Sequence, residues 1–262
     1  MIGLIGGSGF EELLEERKPE IIKTPYGLVE AYEGRVRDVS VLFIPRHGRK
    51  HEFPPHRVNY RANIFALRRK GVLKVVSTSA VGAINPDLKP GDLVLPDQFL
   101  DFTKGRPYTF YDDLVVHVDV SRPYSSKLRS ILEGAARRLG LKVRNGATYV
   151  ATEGPRFETP AEISAYRLLG GDIVGMTGIP EVILARELGL CYATIAIVTN
   201  YAAGLQERLS QEEVFEVTKR AESSVKELLE ESAKEIDECE RDEDCKLMDP
   251  FVEELFSRFS DL

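Results

Sequence analysis

Short, wholly apolar runs alternate along most of the chain with segments whose apolar positions recur at helical spacing. The first kind reads as buried strands and the second as helices packed over them, the alternation of an α/β fold with a largely parallel sheet. Strands are expected at Met1-Ile2-Gly3-Leu4-Ile5, at Val41-Leu42-Phe43-Ile44, and over residues 72–76, 93–95, 147–150, 172–174 and 193–198. Helices are expected over residues 10–14, 59–70 with Gly71 behind it, 126–139 closed by Gly140, and 180–185. Thr159-Pro160-Ala161-Glu162 has the form of a capping box with proline in the first turn, and Ser210-Gln211-Glu212-Glu213 opens a long amphipathic helix in the same way. Asp249-Pro250 starts a last short helix. Residues 101–117 are polar, aromatic-rich and without a period, which reads as a long surface excursion.

No linker, repeat or low-complexity segment interrupts the pattern before residue 230, so the 262 residues are expected to form one domain with a charged helical tail from about 230. A formal charge of −7 excludes nucleic-acid binding through a general basic field, although a local anion site remains compatible with it. No apolar run reaches the length of a membrane span and no charged leader precedes one, which points to the cytoplasm. Three cysteines make no disulfide framework and have no zinc-knuckle spacing. Cys191 opens an apolar strand and reads as a core residue, while a surface disulfide between Cys239 and Cys245 is left open.

Candidate chemistry collects where strands end. Gly6-Gly7-Ser8-Gly9 follows the first strand and lets backbone N–H groups approach an anion, with the Ser8 hydroxyl as a further donor. It lacks the lysine of a P-loop and the spaced third glycine of a dinucleotide fingerprint, and taken alone it reads more readily as a plain structural turn than as a phosphate site. Pro45-Arg46-His47-Gly48-Arg49-Lys50-His51 holds two of three clustered histidines, His47 and His51, with His56 close behind. Without a cysteine or carboxylate at ligand spacing the cluster suits an oxyanion better than a metal, with a solvated basic loop as the alternative. Ser77-Thr78-Ser79-Ala80-Val81-Gly82 places small hydroxyl residues at the carboxyl end of a central strand, where open α/β sheets bind ligands, and reads equally as a tight turn with satisfied hydroxyls. Met176 reads equally as core filler, and His117, between two valines, equally as a half-buried structural histidine. Arg156-Phe157-Glu158 puts a cation, a ring and an acid on the loop before the capped helix, a position at which loops carry function.

Taken together, Ile5-Gly6-Gly7-Ser8-Gly9, Pro45-Arg46-His47-Gly48, Ser79-Ala80-Val81-Gly82, Glu153-Gly154-Pro155-Arg156-Phe157-Glu158-Thr159 and Met176-Thr177-Gly178-Ile179-Pro180-Glu181-Val182 resemble the trimeric purine nucleoside and methylthioadenosine phosphorylases. The resemblance runs in order from Met1 to about residue 225. It implies a single α/β domain with a central mixed, largely parallel twisted sheet flanked by helices, assembled as a homotrimer or a dimer of trimers. It also implies cofactor-free, metal-free phosphorolysis, with inorganic phosphate as co-substrate, a purine nucleoside as substrate, and no nucleic-acid or membrane partner.

By position, the resemblance implies that phosphate is held by Ser8, Arg46, His47, Ser79, Ala80 and Thr177, with Met176 against the ribose and Phe157 beside base and sugar. Asn200 and His47 are the residues it implies for the chemistry. Adenine-specific members resemble one another in having serine after the motif phenylalanine and aspartate at the last strand end. Here Glu158 and Asn200 stand there, which is similar to the 6-oxopurine pattern. A carboxylate accepts from N1–H and a 2-amino group, whereas N1 of adenine is itself an acceptor. Gln211 stands where members acting on ordinary ribonucleosides have histidine and methylthio-specific ones an apolar residue. His117 matches a position that reaches a neighbouring subunit's sugar site. A 6-oxopurine nucleoside phosphorylase is therefore expected, with a methylthioinosine or methylthioadenosine phosphorylase as the alternative, and a phosphate-binding regulatory protein without turnover as the reading from another class.

Overall fold

The computed structural model describes residues 1–7 and 10–259. Its axis is β5 (Lys74–Ala83), buried throughout its middle except at Ala80. On one edge β11 (Cys191–Tyr201) runs parallel to β5 along its whole length. The other edge is shared by two strands. β1 (Ile2–Gly6) pairs in parallel with Val75–Ser77, and β10 (Ile173–Gly175) pairs antiparallel with Gly82 and Ala83. Between them, residues 78–81 have no ladder partner on that edge among the described residues.

From β1 the sheet continues to β4 (Val39–Pro45), then to the hairpin of β3 (Gly27–Val36) and β2 (Glu15–Thr24). From β10 it continues to β9 (Thr148–Thr152) and β7 (Gln98–Phe102); from β11 it continues to β6 (Leu93–Leu95) and β8 (Val143–Asn145). Six of these ten pairings are parallel, so the sheet is mixed but mostly parallel, as expected.

The central strands β1, β4, β5 and β11 are buried on both faces because both faces are covered. Leu42 and Ile44 of β4 join a core with α1 (Tyr60–Arg69) and α4 (Gly178–Glu187), while Val41 and Phe43 join a second core with α2 (Ser126–Leu139) and α5 (Gln211–Glu238). Each fully buried aliphatic or aromatic side chain contributes roughly 1.5–3 kcal/mol.

Helix ends follow the sequence signals. Asn59 accepts from the Ala62 amide, Ser125 from Leu128, and Gly140 closes α2 at φ 68°, where a side chain is disfavoured. At Ser210 only half of the expected capping box forms: Ser210 accepts from the Glu213 amide, but the Glu213 carboxylate accepts from Gln206 Nε2 at 2.8 Å instead of turning back.

Several expectations change. Residues 10–14 are not an α-helix but a 3-10 turn, Phe10–Leu13, leading into β2. Ser77 to Gly82 are not a turn past a strand end but the body of β5. Residues 101–117 do not simply run over the surface, since Arg106, Phe110 and Tyr111 are buried. The stretch after 230 continues α5 and then forms α6 (Glu243–Lys246) and α7 (Asp249–Ser257). It buries Met248, Val252 and Leu255, and Phe256 stacks on Phe65 with centroids 4.5 Å apart. Cys245 turns inward to Cys191, Sγ to Sγ 2.8 Å, away from the pairing with Cys239 that was left open; all three are free thiols.

Candidate active site

The gap along β5 is where the site forms. Strand ends converge on it because β1, β4 and β5 run parallel and β10 enters from the opposite direction. β1 delivers Gly7, and Ser8, expected to hold phosphate, lies outside the described residues. β4 delivers Arg46 and His47, β5 presents Ser79 and the exposed Ala80, and β10 delivers Met176 and Thr177. The Arg46 amide bonds the Gly6 carbonyl at 2.9 Å, which locks the ends of β1 and β4 together.

Arg46 is buried, with 4% exposure. Its Nε and Nη2 donate to Glu181 at 2.7 and 2.8 Å, and Nη1 donates to the Thr78 carbonyl at 2.8 Å. Burial opposes the guanidinium charge, but the Glu181 carboxylate outweighs it and holds the Arg46 pKa above its ordinary value. His47 Nδ1 lies 2.7 Å from the Phe53 carbonyl, which can only accept, so the neutral ring carries its hydrogen on Nδ1 and leaves Nε2 as an acceptor. Burial first, then the Arg46 charge, push the imidazole pKa down to about 4. Ser79 Oγ lies 3.2 Å from Thr177 Oγ1 and 3.3 Å from the Tyr149 hydroxyl. That hydroxyl also accepts from the Thr177 and Gly178 amides at 3.4 and 3.3 Å. Gly175 makes this possible, since a Cβ there would fall 2.2 Å from the Tyr149 oxygen. The result is a set of hydroxyl and guanidinium donors beside one imidazole acceptor, suited to a tetrahedral oxyanion that keeps a hydroxyl group to donate to His47 Nε2.

The second half adjoins the first through Met176. A Cβ at Gly154 would come within 2.6 Å of Met176 Sδ, so the thioether packs directly on the Glu153–Glu158 loop. The Thr159 capping box is present in full. Arg156 does not face the site: it makes a two-pronged pair with Glu162 at 2.8 and 2.7 Å and supports the helix start. Phe157 is 39% exposed, and Glu158 accepts from Thr152 Oγ1 at 2.6 Å. Asn200 sits at a bulge in β11 where the register with β5 shifts, 5% exposed, and its amide lies over Gly82. Its Oδ1 accepts from Thr199 Oγ1 at 2.8 Å.

The structure thus links Arg46 to Thr78 beside Ser79 and Ala80, Ser79 to Thr177, and Met176 to the Glu153–Glu158 loop, with His47 next to Arg46 in the chain and Asn200 over Gly82 near the end of β5. His117 and Gln211 are different. Both are exposed, and among the described residues no hydrogen bond or ion pair joins either to the cradle. The half-buried structural reading of His117 is therefore corrected: Val116 and Val118 pack on the core, and the alternation of an extended chain turns His117 outward.

Sequence reasoning left Glu181, Tyr149, Tyr192, Thr152 and Arg106 without roles. Arg106 spends its guanidinium on the carbonyls of Met176 (2.7 Å), Ile179 (2.6 Å), Thr152 (3.2 Å) and Glu153 (2.6 Å), the Tyr60 hydroxyl and the Glu153 carboxylate. Among the described residues the group that could meet a metal ion is Cys191, Asp242 and Cys245. It lies at the far end of β11 from Asn200, on the order of 30 Å away by strand rise. Its sulfurs, 2.8 Å apart, are closer than two thiolates on one zinc, and Arg186 donates to Cys245 Sγ, so it fits a cation poorly.

A family model described as the phosphorylase superfamily matches residues 1–234. The chain belongs to that family. It is 56% identical over 231 residues to a protein of Methanopyrus kandleri named probable S-methyl-5'-thioinosine phosphorylase, covering 87% of this chain and 90% of that one. It is 53% identical over 239 residues to the 6-oxopurine nucleoside phosphorylase of Pyrococcus furiosus, with the same coverage. Among solved structures, methylthioadenosine phosphorylase from Schistosoma mansoni in complex with adenine superposes with a TM-score of 0.90 at 35% identity, covering 97% of each chain.

Proposed function

We propose that the protein is a 6-oxopurine nucleoside phosphorylase: phosphate attacks C1 of the ribose of inosine or guanosine, the N-glycosidic bond breaks, and free base and ribose 1-phosphate leave. The observation that supports this reading is that a glutamate, Glu158, stands on the loop before the capped helix and an amide, Asn200, at the β11 bulge, the pair that suits a 6-oxopurine edge. The ribosyl transition state is cationic, and the phosphate oxygen that forms the new bond also stabilises it. The departing purine takes the bonding electrons, and a hydrogen bond or proton at N7 makes it a better leaving group, help on the order of a hundred- to ten-thousand-fold. Asn200 Oδ1 accepts from a protonated N7 and its Nδ2 donates to O6, while Glu158 accepts from N1–H. Arg46, Ser8, Ser79, Ala80 and Thr177 hold phosphate, His47 Nε2 accepts from a hydroxyl of the monoprotonated phosphate, Met176 and Phe157 flank sugar and base, and no cofactor or metal takes part. The exposed His117 favours a homotrimer, or a dimer of trimers, in which it reaches a neighbour's sugar site.

A second reading, cleavage of methylthioinosine, is favoured by the 56% identical relative of that name and shares the same base contacts. Gln211 at the start of α5 is the residue that would tell the two apart, since an amide donates to a 5'-hydroxyl and gains nothing from a thioether. The test is incubation with phosphate and, in turn, inosine, guanosine, adenosine, methylthioadenosine and methylthioinosine, following base release. Inosine and guanosine are expected to react fastest. Preference for adenosine would overturn the roles given to Glu158 and Asn200, and no turnover of any nucleoside would overturn the enzyme reading.

A further inference from the structure

We propose that Glu181 is a positioning residue for phosphate, fixing the plane of the Arg46 guanidinium so that only its two outer N–H groups are offered to the oxyanion. The inference rests on the phosphate role proposed above for Arg46. Glu181 is fully buried, and a carboxylate in that setting must be matched by donors. It has three. Arg46 Nε and Nη2 grip it along one edge, and the Tyr192 hydroxyl reaches Oε1 at 2.5 Å.

The donors of Arg46 can then be counted. A guanidinium has five N–H groups; two are held by Glu181 and a third by the Thr78 carbonyl, leaving one on each terminal nitrogen. The edge formed by Nε and Nη2, one of the two that can fork a bidentate anion, is already taken by Glu181. Phosphate therefore meets directed donors on a paired arginine, not a free positive charge.

What holds Glu181 is the centre of the sheet. The Tyr192 oxygen is also 2.7 Å from Ser77 Oγ, and Ser77 Oγ is 2.8 Å from Thr194 Oγ1. An ionised carboxylate cannot donate, so the single Tyr192 proton goes to Glu181, Ser77 donates to Tyr192, and Thr194 donates to Ser77. Ser77 and Thr194 are direct partners in the β5–β11 ladder. The orientation of Arg46 is thus inherited, hydroxyl by hydroxyl, from two central strands. The arrangement puts to use the Pro180-Glu181-Val182 part of the fifth sequence motif and the Ser77 hydroxyl, neither of which touches the expected substrate.

The experiment compares wild type, Glu181→Gln and Tyr192→Phe by phosphate KM, nucleoside KM, and calorimetric titration with inorganic phosphate in the absence of nucleoside. Glu181→Gln is expected to raise the phosphate KM and Kd roughly ten- to hundredfold, and Tyr192→Phe roughly two- to tenfold, with the nucleoside KM changed less than about twofold. A folded variant with unchanged phosphate parameters, or one whose nucleoside KM rises in step, would overturn the proposal. Should Glu181→Gln fail to fold, Tyr192→Phe decides alone, because it removes a single oxygen and keeps the ring. Phosphate binding by the wild type without nucleoside cleavage would overturn the function reading while the titrations still decide the role of Glu181. Cleavage that persists with unaltered phosphate parameters in both variants would overturn only the role of Glu181, and a wild type that binds no phosphate would overturn it as well.

Discussion

The Glu158 carboxylate accepts a 2.6 Å hydrogen bond from the hydroxyl of Thr152, the last residue of β9. One oxygen of the acid proposed to read the base is thereby tied to Thr152, which is 7% exposed, while the other is spare. Thr152→Val keeps the shape and removes the tie. It is expected to lower kcat/KM for guanosine roughly two- to tenfold with phosphate KM unchanged. Steady-state kinetics with both substrates check this, and a change confined to phosphate would contradict the role of Glu158.

Asn200→Asp replaces an amide that both donates and accepts by an acceptor alone. At 5% exposure the loss has no compensating water, so 6-oxopurine turnover is expected to fall on the order of a hundredfold and activity on 6-aminopurines to rise in relative terms. An untouched rate with inosine would show that the amide does not assist at N7.

Arg106 closes six contacts from a side chain that is 2% exposed. Arg106→Ala orphans buried carbonyls on both walls of the site and is expected to cost roughly 3–5 kcal/mol in denaturant unfolding, with Arg106→Lys losing less because it keeps the charge. Equal stability of wild type and Arg106→Ala would mean that water replaces the clamp.

His47 sets a pH dependence. Its folded pKa of about 4 lies below the 6.5 of a free imidazole, so the folded state binds the proton less tightly than the unfolded one. The stability contributed by the neutral ring is complete above pH 6.5 and is lost as pH falls toward about 4. A proton NMR titration is expected to show this ring still neutral at pH 6, and the phosphate KM to show no histidine step near 6.5. An inflection near 6.5 for His47 would contradict the half-buried environment next to the Arg46 charge.

Some of this was legible from residues alone. The Thr159–Glu162 box and Gly140 mark helix boundaries because capping is local chemistry, decided within a few residues. The hairpin of β2 and β3 was not read, because Glu15, Glu16, Arg17, Lys18 and Glu20 cover an edge strand whose outer face is solvated. Ser77 to Gly82 looked like a strand end because small polar residues usually mark turns; here their hydroxyls pair inside the sheet. Arg46 announced itself through its motif, but nothing in a sequence says that Glu181, 135 positions away, will be its buried counterion. Arg106 was hidden for the same reason: in an aperiodic polar stretch a buried cation has no local signal, and its acceptors are backbone carbonyls that any residue would supply.

The divided edge of β5 has a further meaning for how such a protein can change. The oxyanion half is assembled from strand termini whose placement is a property of the sheet itself, so altering it means rebuilding the scaffold. The half proposed to face the base depends on Glu158 before a helix and Asn200 at a bulge, two side chains outside the regular ladder. On that division a change of preferred nucleoside asks for fewer alterations than a change of attacking anion, and relatives each about half identical to this chain carry different nucleoside names.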